Sequence, residues 1–375
     1  MQLKLNYMFK KLVLFPLLLI SCLPNLFAQY SFQLNSDSVR LVMDKVALWQ
    51  INEWKEGRII KLPKTEWENA ALYTGFVALK RVNNAPAYDK FLYEVGEECK
   101  WNTGKSRLFA DDYCIAQMYT SMYIEHKEPK MIQKWKALAD TIVAHQFNEP
   151  LAVVPNINHR EWAWCDALFM GPPSLALLST ATNDLRYLKK ADSLWWKTSA
   201  YLYDTKDHLY YRDSRFFTQK EKNGEKIFWS RGNGWVLAGL ARMMDNMPQD
   251  FKNRKRYEKQ FKQMAKRIAG LQQADGSWHA SLLDPVTFAD KETSGTGFYA
   301  YALAWGINKG LLSEKKYKPV VTNAWKAIVT AVHPNGKLGF VQNVGSGPIA
   351  TNYEQTNVYG VGALLLAGSE IYKLK

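Results

Sequence analysis

Three aspartates in this sequence stand where carboxylate chemistry is expected. Asp166 lies in REWAWCDALFMGPP, between Trp164 and Phe169, and Asp111 and Asp112 are neighbours in FADDYC. An ionised carboxylate is costly to hold among apolar side chains, so we expect burial to raise the pKa of Asp166. Glycoside chemistry requires a protonated acid beside a second carboxylate that handles water. The sequence therefore indicates a pair of acids acting on a sugar, with Asp166 as the first candidate.

A second polar motif, FWSRGNGW, combines one cation with glycines and tryptophans. Arg231 offers a planar fork of donors that suits a carboxylate, and the glycines allow the backbone to approach a ligand closely. Trp235 lies one helical turn later, on the same face as Arg231. Because the apolar faces of sugars stack on aromatic rings, we expect both residues to contact an acidic sugar.

Composition and charge narrow the class of ligand. The chain has 375 residues, a formal charge of +14, 14 Trp and 20 Tyr. A basic surface favours anionic partners, but the sequence lacks the clustered basic stripe that nucleic-acid binding requires. We therefore expect an acidic oligosaccharide as the partner and no nucleic acid.

Motifs for metals and cofactors are missing from the sequence. There is no HExxH, no calcium loop, no Gly-x-Ser-x-Gly elbow and no phosphate-binding glycine loop. Cys99, Cys114 and Cys165 lack the spacing of zinc ligands and are expected to be buried small hydrophobes. His159 lies seven residues before Asp166, where a polar contact is a better interpretation than a metal ligand. We expect catalysis without a metal or cofactor.

The N-terminus carries an export signal. Two lysines precede the apolar run LVLFPLLLI, which is too short to span a bilayer, and a small-residue cleavage site follows at Ala28. We expect a signal peptide over residues 1–28, a mature domain over residues 29–375, and a periplasmic protein without a transmembrane span. The segment LISC resembles a lipobox, so lipidation at Cys22 is the alternative.

Helical periodicity dominates the rest of the chain. Some predicted helices, such as Tyr257–Leu271, have one apolar face, whereas those that alternate with them, such as Gly297–Trp305 and Val358–Ala367, are apolar nearly all round and must be buried. Twelve helices are expected, beginning near Ser36, Glu66, Ala85, Asp111, Pro129, Asp166, Asp184, Gly232, Phe251, Thr293, Tyr317 and Gln355. Short hairpin strands are expected at Leu209–Arg212 and Trp278–Leu282.

Six pairs of one exposed and one buried helix form a closed double ring, the all-α (α/α)6 barrel, as a single domain. Alternate helices of such a ring run in the same direction, so polar clusters at the starts of the six buried helices meet at one mouth. The clusters are Glu66–Asn69, Ala110–Tyr113, Trp164–Asp166, Ser230–Trp235, Glu292–Thr296 and Asn352–Asn357. The alternative is that each cluster only caps its helix. Since tryptophan and arginine are not capping residues, we expect a functional cavity at this mouth.

Three motifs, WCDALFMGPP, FWSRGNGW and ETSGTGFYAYALAWGINKGLL, occur in this order. Together they resemble the unsaturated glucuronyl and rhamnogalacturonyl hydrolases of glycoside hydrolase families 88 and 105, closer to family 105, from about Asp37 to Lys375. The resemblance implies the (α/α)6 barrel and action on polysaccharide-lyase products, whose non-reducing end is a uronic acid with a C4=C5 double bond. It also implies that an aspartic acid protonates C4, water adds at C5, and the hemiketal collapses to release the aglycone.

The resemblance assigns roles to several residues. Asp166 matches the proton donor that also handles water, and Asp111 the second essential aspartate, with Asp112 not separable from it by spacing. The substrate-cleft positions of the family match Trp164, Met170, Arg231 and Trp235, and Trp67 is expected at the same mouth.

One position departs from the family pattern. Arg212 follows an aromatic pair where rhamnogalacturonyl members often carry a histidine. An arginine there would bind a uronate carboxylate or a sulfate, or it would pair with Asp204, Asp207 or Asp213 instead. The departure weakens the case for the usual rhamnogalacturonan substrate.

Three hypotheses follow from the sequence. The first is a hydrolase of unsaturated uronides, the second an inverting (α/α)6 glycosidase that cuts a saturated glycoside, and the third a glycan-binding protein without catalysis. The first predicts loss of the ultraviolet absorbance of the conjugated enol, and the others do not. The sequence is compatible with a monomer or a homodimer.

Overall fold

Helices make up nearly all the regular structure of the residues that the computed structural model describes, which are 34–57, 62–153 and 161–374. The predicted leader, Cys22 and His159 lie outside the described residues. The α-helices are α1 (Ser36–Lys55), α2 (Trp67–Lys80), α3 (Pro86–Glu98), α4 (Ala116–His126), α5 (Lys130–Ala144), α6 (Ala167–Met170), α7 (Pro172–Thr182), α8 (Leu185–Leu202), α9 (Ser230–Asp245), α10 (Arg254–Ala269), α11 (Thr293–Asn308), α12 (Glu314–Val329) and α13 (Val358–Ile371). None of these described helices combines the length and hydropathy that a membrane crossing needs.

Six helices form an inner ring. Helices α2, α4, α7, α9, α11 and α13 pack each on the next, and α13 packs on α2 to close the circle. Every residue of α13 is buried, as is α11 from its start to Gly306. The outer helices α1, α3, α5, α8, α10 and α12 bury one face only, as the spacing of Tyr257, Phe261, Met264 and Ile268 in α10 illustrates. The predicted (α/α)6 barrel is confirmed.

The ring closes through a contact between two glycines. A Cβ atom at Gly75 of α2 would lie 2.7 Å from the carbonyl oxygen of Gly362 in α13, and one at Gly362 would lie 2.4 Å from the carbonyl oxygen of Ala71. Both distances are too short for any side chain, so only glycine allows α2 and α13 to approach this closely.

The predicted helix starts agree with the structure to within three residues, with one exception. Asp111 does not begin α4, because a 3-10 turn at Ala110–Tyr113 precedes that helix. The helix that begins after Asp166 is short: α6 ends at Met170, and Pro172, which has no N–H to donate, begins α7. The short helix α6 is therefore separate from α7, and it positions Asp166 and Met170 at the mouth of the ring.

Two short strands form a hairpin after α8. Strand β1 (Tyr203–Asp204) pairs antiparallel with β2 (Leu209–Tyr210), which lies within the first predicted strand. The second prediction, a strand over Trp278–Leu282, is wrong, since this segment makes only isolated bridges. The indole of Trp278 donates to a carbonyl of α10 and its backbone N–H to a hydroxyl of α11, so packing against helices produces the alternating pattern.

Candidate active site

A cavity of about 330 Å³ opens at the end of the ring where the inner helices begin. It is lined by Trp67, Asp111, Trp164, Asp166, Met170, Arg212, Val344, Gly345 and Ser346. The first six of these residues were selected from the sequence. The start of α2, the 3-10 turn before α4, the segment that leads into α6 and the chain just after β2 therefore bring two carboxyl groups, a guanidinium and two indoles to one place.

Asp111 enters the cavity from the 3-10 turn before α4. Its Oδ1 is buried and has no hydrogen-bond partner among the described residues. Burial raises the pKa of Asp111 well above its usual range, and repulsion from Asp166 raises it further, while the charge of Arg212 opposes the shift. The site therefore favours the protonated form of Asp111.

Asp166 is paired with a cation. Arg212 Nε lies 3.4 Å from Asp166 Oδ2, so Asp166 has a charged partner in addition to its apolar neighbours. The hairpin delivers this arginine, because the backbone N–H of Cys165 donates to the Arg212 carbonyl at 2.8 Å. The side chain of Asn233 in α9 fixes the same hairpin through both backbone groups of Tyr210, at 2.7 and 3.0 Å.

A buried carboxylate holds Arg212 from behind. Arg212 Nη1 donates to Asp213 Oδ2 at 2.7 Å, and Arg215 donates to both oxygens of Asp213 at 2.9 and 2.7 Å. Burial alone would raise the pKa of Asp213, but the hydrogen bonds from Arg215 and Arg212 hold it below its usual value. Of the three aspartates considered as partners of Arg212, only Asp213 pairs with it, and Arg212 still faces the cavity.

Aromatic rings form the walls of the cavity. Trp67 stacks on Tyr359 with ring centroids 5.4 Å apart, and Trp164 packs on Phe109 at 5.3 Å. Trp235 was expected to contact the ligand, but it is fully buried and lies behind Trp67, with centroids 6.1 Å apart. Its role is to support the exposed edge of Trp67.

Arg231 does not reach the cavity, contrary to expectation. Its side chain is fully buried between the rings of Trp229 and Tyr359, at 4.5 and 4.7 Å from their centroids. Its Nη1 donates to the carbonyl of Gln342 at 2.7 Å and its Nη2 to that of Asn343 at 3.0 Å. The guanidinium of Arg231 was expected to bind a carboxylate of the ligand. It binds instead the backbone just before the cavity wall at 344–346.

The chain matches the model of Glycosyl Hydrolase Family 88 over residues 42–375. It belongs to this family. Among its relatives, an unsaturated 3S-rhamnoglycuronyl hydrolase of Formosa agariphila is 40% identical over 335 residues, covering 86% of this chain and 89% of that protein. A protein of the same description from an Alteromonas species is 32% identical over 359 residues, covering 89% and 86%.

Solved structures agree with the fold of this family 88 enzyme. A glycosyl hydrolase family 88 protein from Bacteroides vulgatus superposes with a TM-score of 0.80 at 28% identity, covering 90% of this chain and 99% of that one. A structure described as a polysaccharide lyase superposes with a TM-score of 0.81 at 32% identity, covering 90% and 97%. The chain is a glycoside hydrolase by its family.

The adjacent residues Asp111 and Asp112 have different surroundings. The carboxylate of Asp112 accepts the backbone N–H of Ser106 at 2.8 Å and packs against Gly104, whose N–H donates to the Asp112 carbonyl at 2.6 Å. Asp112 therefore stabilises the loop before the 3-10 turn and does not line the cavity, so its assignment to substrate binding is not supported by the geometry.

The remaining polar clusters are structural. Glu292 is fully buried and accepts the N–H groups of Ser294 and Gly295 at the start of α11, and Asn357 accepts that of Val358 at the start of α13. The capping alternative is correct for these two clusters. They support the mouth of the ring without facing it.

The wall at 344–346 overlaps the glycine-rich stretch at 345–347, for which the sequence favours a turn and leaves a lid over the cavity as the alternative. It depends on Gln342, which is fully buried and accepts the indole N–H of Trp229 at 3.0 Å while donating to the Gly347 carbonyl at 2.9 Å. A single glutamine in a loop cannot be recognised as important from the sequence. Only the folded chain shows that its side-chain amide links Trp229 to Gly347, which directly follows the wall at 344–346.

A cluster of metal-type ligands in the described residues lies away from this cavity. Asp89, Glu125 and His126 come close together, but Lys80 Nζ contacts both carboxylates. A lysine ammonium already occupies the position that a cation would take, so this cluster is an ion-pair network.

Proposed function

We propose that this family 88 enzyme is an unsaturated uronyl hydrolase, which removes the 4,5-unsaturated uronic acid from the non-reducing end of polysaccharide-lyase products. The observation that carries the proposal is the cavity in which Asp111, Asp166 and Arg212 face one space between Trp67 and Trp164. Two acids and a cation suit an acidic sugar, and the indoles suit its apolar faces. The two relatives described as unsaturated 3S-rhamnoglycuronyl hydrolases support the same activity.

In the proposed reaction, one proton is transferred to C4 of the sugar and another is removed from the water that attacks C5. Asp166, the residue that matches the family donor, protonates C4 of the enol ether, and the positive charge that develops at C5 is quenched by water, whose proton returns to the carboxylate. The hemiketal at C5 then opens to a keto sugar and releases the aglycone. Burial favours the protonated form of Asp111, the second acid of the cavity.

Arg212 gives the proposal a group that orients the substrate. Its guanidinium lies beside Asp166 in the cavity and offers a planar fork of donors that suits the uronate carboxylate. The uronate carboxylate bound there places the sugar next to Asp166.

We propose that the substrate is an unsaturated rhamnoglycuronyl oligosaccharide. The support is the description of the two relatives and the arginine at position 212, where rhamnogalacturonyl members of the resembled families often carry histidine. A guanidinium accepts a second anionic group, such as a sulfate, better than an imidazole does, because it is always charged and offers five donors.

The decisive experiment incubates the purified enzyme with lyase products of ulvan, pectin, arabinogalactan and glycosaminoglycans and follows the absorbance of the conjugated enol. We expect the absorbance to fall with the ulvan product and to stay constant with Asp166→Asn, while circular dichroism shows that this variant is folded. Cleavage of saturated uronides with every unsaturated one left intact would refute the proposal in favour of an inverting glycosidase.

A second candidate function is a lyase, favoured by the 32% identical structure described as one. A lyase forms the double bond that the proposed hydrolase consumes, because it removes a proton next to the uronate carboxyl and expels the substituent at C4. The sign of the absorbance change separates the two: intact polysaccharide with a rising absorbance indicates the lyase, and lyase product with a falling absorbance indicates the hydrolase.

We also propose that the protein is exported, on the support of the leader pattern in the sequence alone. The mass of the mature protein distinguishes the two forms. A chain beginning at Gln29 indicates cleavage after Ala28, and a lipid-modified chain beginning at Cys22 indicates membrane tethering. An uncleaved N-terminus would refute both.

A further inference from the structure

A second cavity, of about 350 Å³, opens at the opposite end of the inner ring. All six inner helices line it with residues from their C-terminal parts, so it lies on the axis of the barrel. Its charged lining consists of Arg81, Arg242, Asp245, Lys309, Glu370 and Lys373. It shares no lining residue with the cavity that holds Asp111 and Asp166.

The charges of this cavity do not balance. Lys309 Nζ pairs with Asp245 at 2.8 Å and Lys373 Nζ with Glu370 at 2.5 Å. Arg81 and Arg242 form no ion pair with any of the described residues. Two guanidinium groups without a carboxylate, the exposed Arg81 and the partly exposed Arg242, therefore line one open cavity, and its side chains carry an excess of two positive charges.

Helix ends alone do not account for both arginines. The C-termini of helices carry partial negative charge and attract cations, which explains Arg81 at the C-cap of α2. Arg242, by contrast, is only partly exposed and is oriented by side chains: its Nε donates to Gln117 Oε1 at 2.7 Å, and it hydrogen-bonds with the hydroxyl of Tyr301. A guanidinium has five N–H donors, so Arg242 keeps several for a ligand.

Arg242 is also held rigidly. Gln117, which accepts its Nε–H, donates through Nε2 to the carbonyl of Phe169 at 2.9 Å, and the guanidinium carbon lies 5.7 Å from the ring of Phe169. A guanidinium fixed in advance loses little conformational entropy when an anion binds, which favours binding. The anchored position distinguishes Arg242 from an ordinary surface arginine.

We propose that the cavity at the C-terminal end of the inner ring is a binding site for a small anion that carries a carboxylate or a sulfate, held by Arg81 and Arg242. Both groups match the planar donor fork of arginine. The volume lies near the lower end of the range for small-molecule sites, about 300–1,000 Å³, and suits a monosaccharide or a smaller ion. The hydroxyls of Thr74, Ser121 and Ser369 in the lining already donate to backbone carbonyls of their own helices, so the two guanidinium groups are the donors for the anion.

The test is calorimetric titration of the purified enzyme with sodium sulfate and with sodium D-glucuronate, against sodium chloride of equal ionic strength and neutral D-glucose. We expect saturable binding of sulfate, of glucuronate or of both, and no binding of glucose. The anion that binds shows whether the ligand carries a sulfate or a carboxylate. Arg81→Gln and Arg242→Lys should each raise the dissociation constant by roughly tenfold or more, as expected for a lost charge-assisted hydrogen bond.

Two controls separate this site from other cations of the protein. Arg212→Gln removes the guanidinium of the active-site cavity, and Arg256→Gln removes one that stacks on Trp196 at 3.6 Å on the outer surface. Arg256→Gln should bind the anion as the unmodified enzyme does, whereas Arg212→Gln should lose only the anion that binds in the active-site cavity and keep the one held by Arg81 and Arg242. Because Arg242 also contacts the core, Arg81→Gln is the variant that decides if Arg242→Lys does not fold. Binding that disappears in Arg212→Gln and persists in Arg81→Gln, or no saturable binding at all, overturns the proposal.

Discussion

Arg212 contacts two carboxylates that have different surroundings. Its Nε lies 3.4 Å from Oδ2 of Asp166, which lines the cavity, and its Nη1 lies 2.7 Å from Oδ2 of Asp213, which is fully buried. The inner contact is a good hydrogen bond, whereas the outer contact lies beyond ordinary hydrogen-bond length. The geometry therefore anchors the arginine from behind and leaves its exposed edge available to a second anion.

Replacing Arg212 tests this arrangement. Arg212→Gln should lower kcat/KM by about 10- to 100-fold, since the charged hydrogen bonds of a guanidinium contribute about 1.5–3 kcal/mol. The loss should appear mainly in KM if the residue binds the uronate carboxylate. Steady-state kinetics on the unsaturated substrate measure both constants. Arg215→Gln is the matched control, because Arg215 contacts Asp213 but does not line the cavity; an equal loss in that variant would contradict a direct role of Arg212.

Asp111→Asn should make the protein more stable as pH rises and at the same time lower its activity. The raised pKa of Asp111 means that the folded state binds more protons than the unfolded state between the two pKa values, so the free energy of unfolding falls as pH rises above about 4. The amide cannot ionise, and the variant should become progressively more stable than the unmodified enzyme as pH rises from 4 to 8. Thermal unfolding at several pH values measures this difference, while activity should fall by roughly 100-fold or more. A constant difference across the range would contradict the burial of a titrating Asp111.

Asp112→Asn is the companion to that experiment. Its carboxylate accepts one backbone N–H in a loop and lies outside the cavity. An asparagine oxygen accepts the same hydrogen bond, so we expect kcat/KM within about threefold of the unmodified enzyme and a loss of stability below about 1 kcal/mol. Kinetics and urea unfolding check both values. Loss of activity comparable to that of Asp111→Asn would show that the neighbouring carboxylate takes part in the reaction.

Arg231→Met should affect the cavity through its wall. The substitution leaves the carbonyl of Asn343 without the Arg231 donor and that of Gln342 with only the Tyr359 hydroxyl, which costs about 1–3 kcal/mol of stability. The wall at 344–346 should loosen, so KM should rise more than kcat falls. Unfolding in urea and steady-state kinetics measure the two effects. Arg231→Lys, which keeps the charge and one donor, should recover part of both; a pure loss of kcat with an unchanged KM would favour direct contact with the substrate.

Much of the fold could be predicted from the sequence, because the inner helices can be recognised by their apolar composition. A helix such as α13, apolar on every side, has to be surrounded, and six of them in alternation with amphipathic helices leave few architectures. The strand prediction at Trp278–Leu282 failed because an alternating pattern arises equally when a loop is packed between helices.

The site could be predicted only as far as residue types within one segment allow. Asp166 and Asp111 stand near the starts of inner helices, so ring geometry places them together. The partner of Asp166 comes from a hairpin later in the chain, and no local pattern reports that contact. The sequence predicts that Arg231 and Trp235 contact the ligand, whereas the structure buries both outside the cavity lining. A sequence does not show whether a guanidinium binds backbone carbonyls or is free for a ligand.

The glycine contact between α2 and α13 has a consequence for how the protein is made. The second helix is buried from Glu68 to Leu79, and the flank that carries Gly75 is covered only by the last helix of the chain. During synthesis on the ribosome, this flank has no neighbour until almost every residue has been translated. Closure over so long a stretch of chain is intrinsically slow, and the uncovered apolar surface is prone to aggregation meanwhile. Chaperone dependence should therefore be greatest for nascent chains that end before Val358.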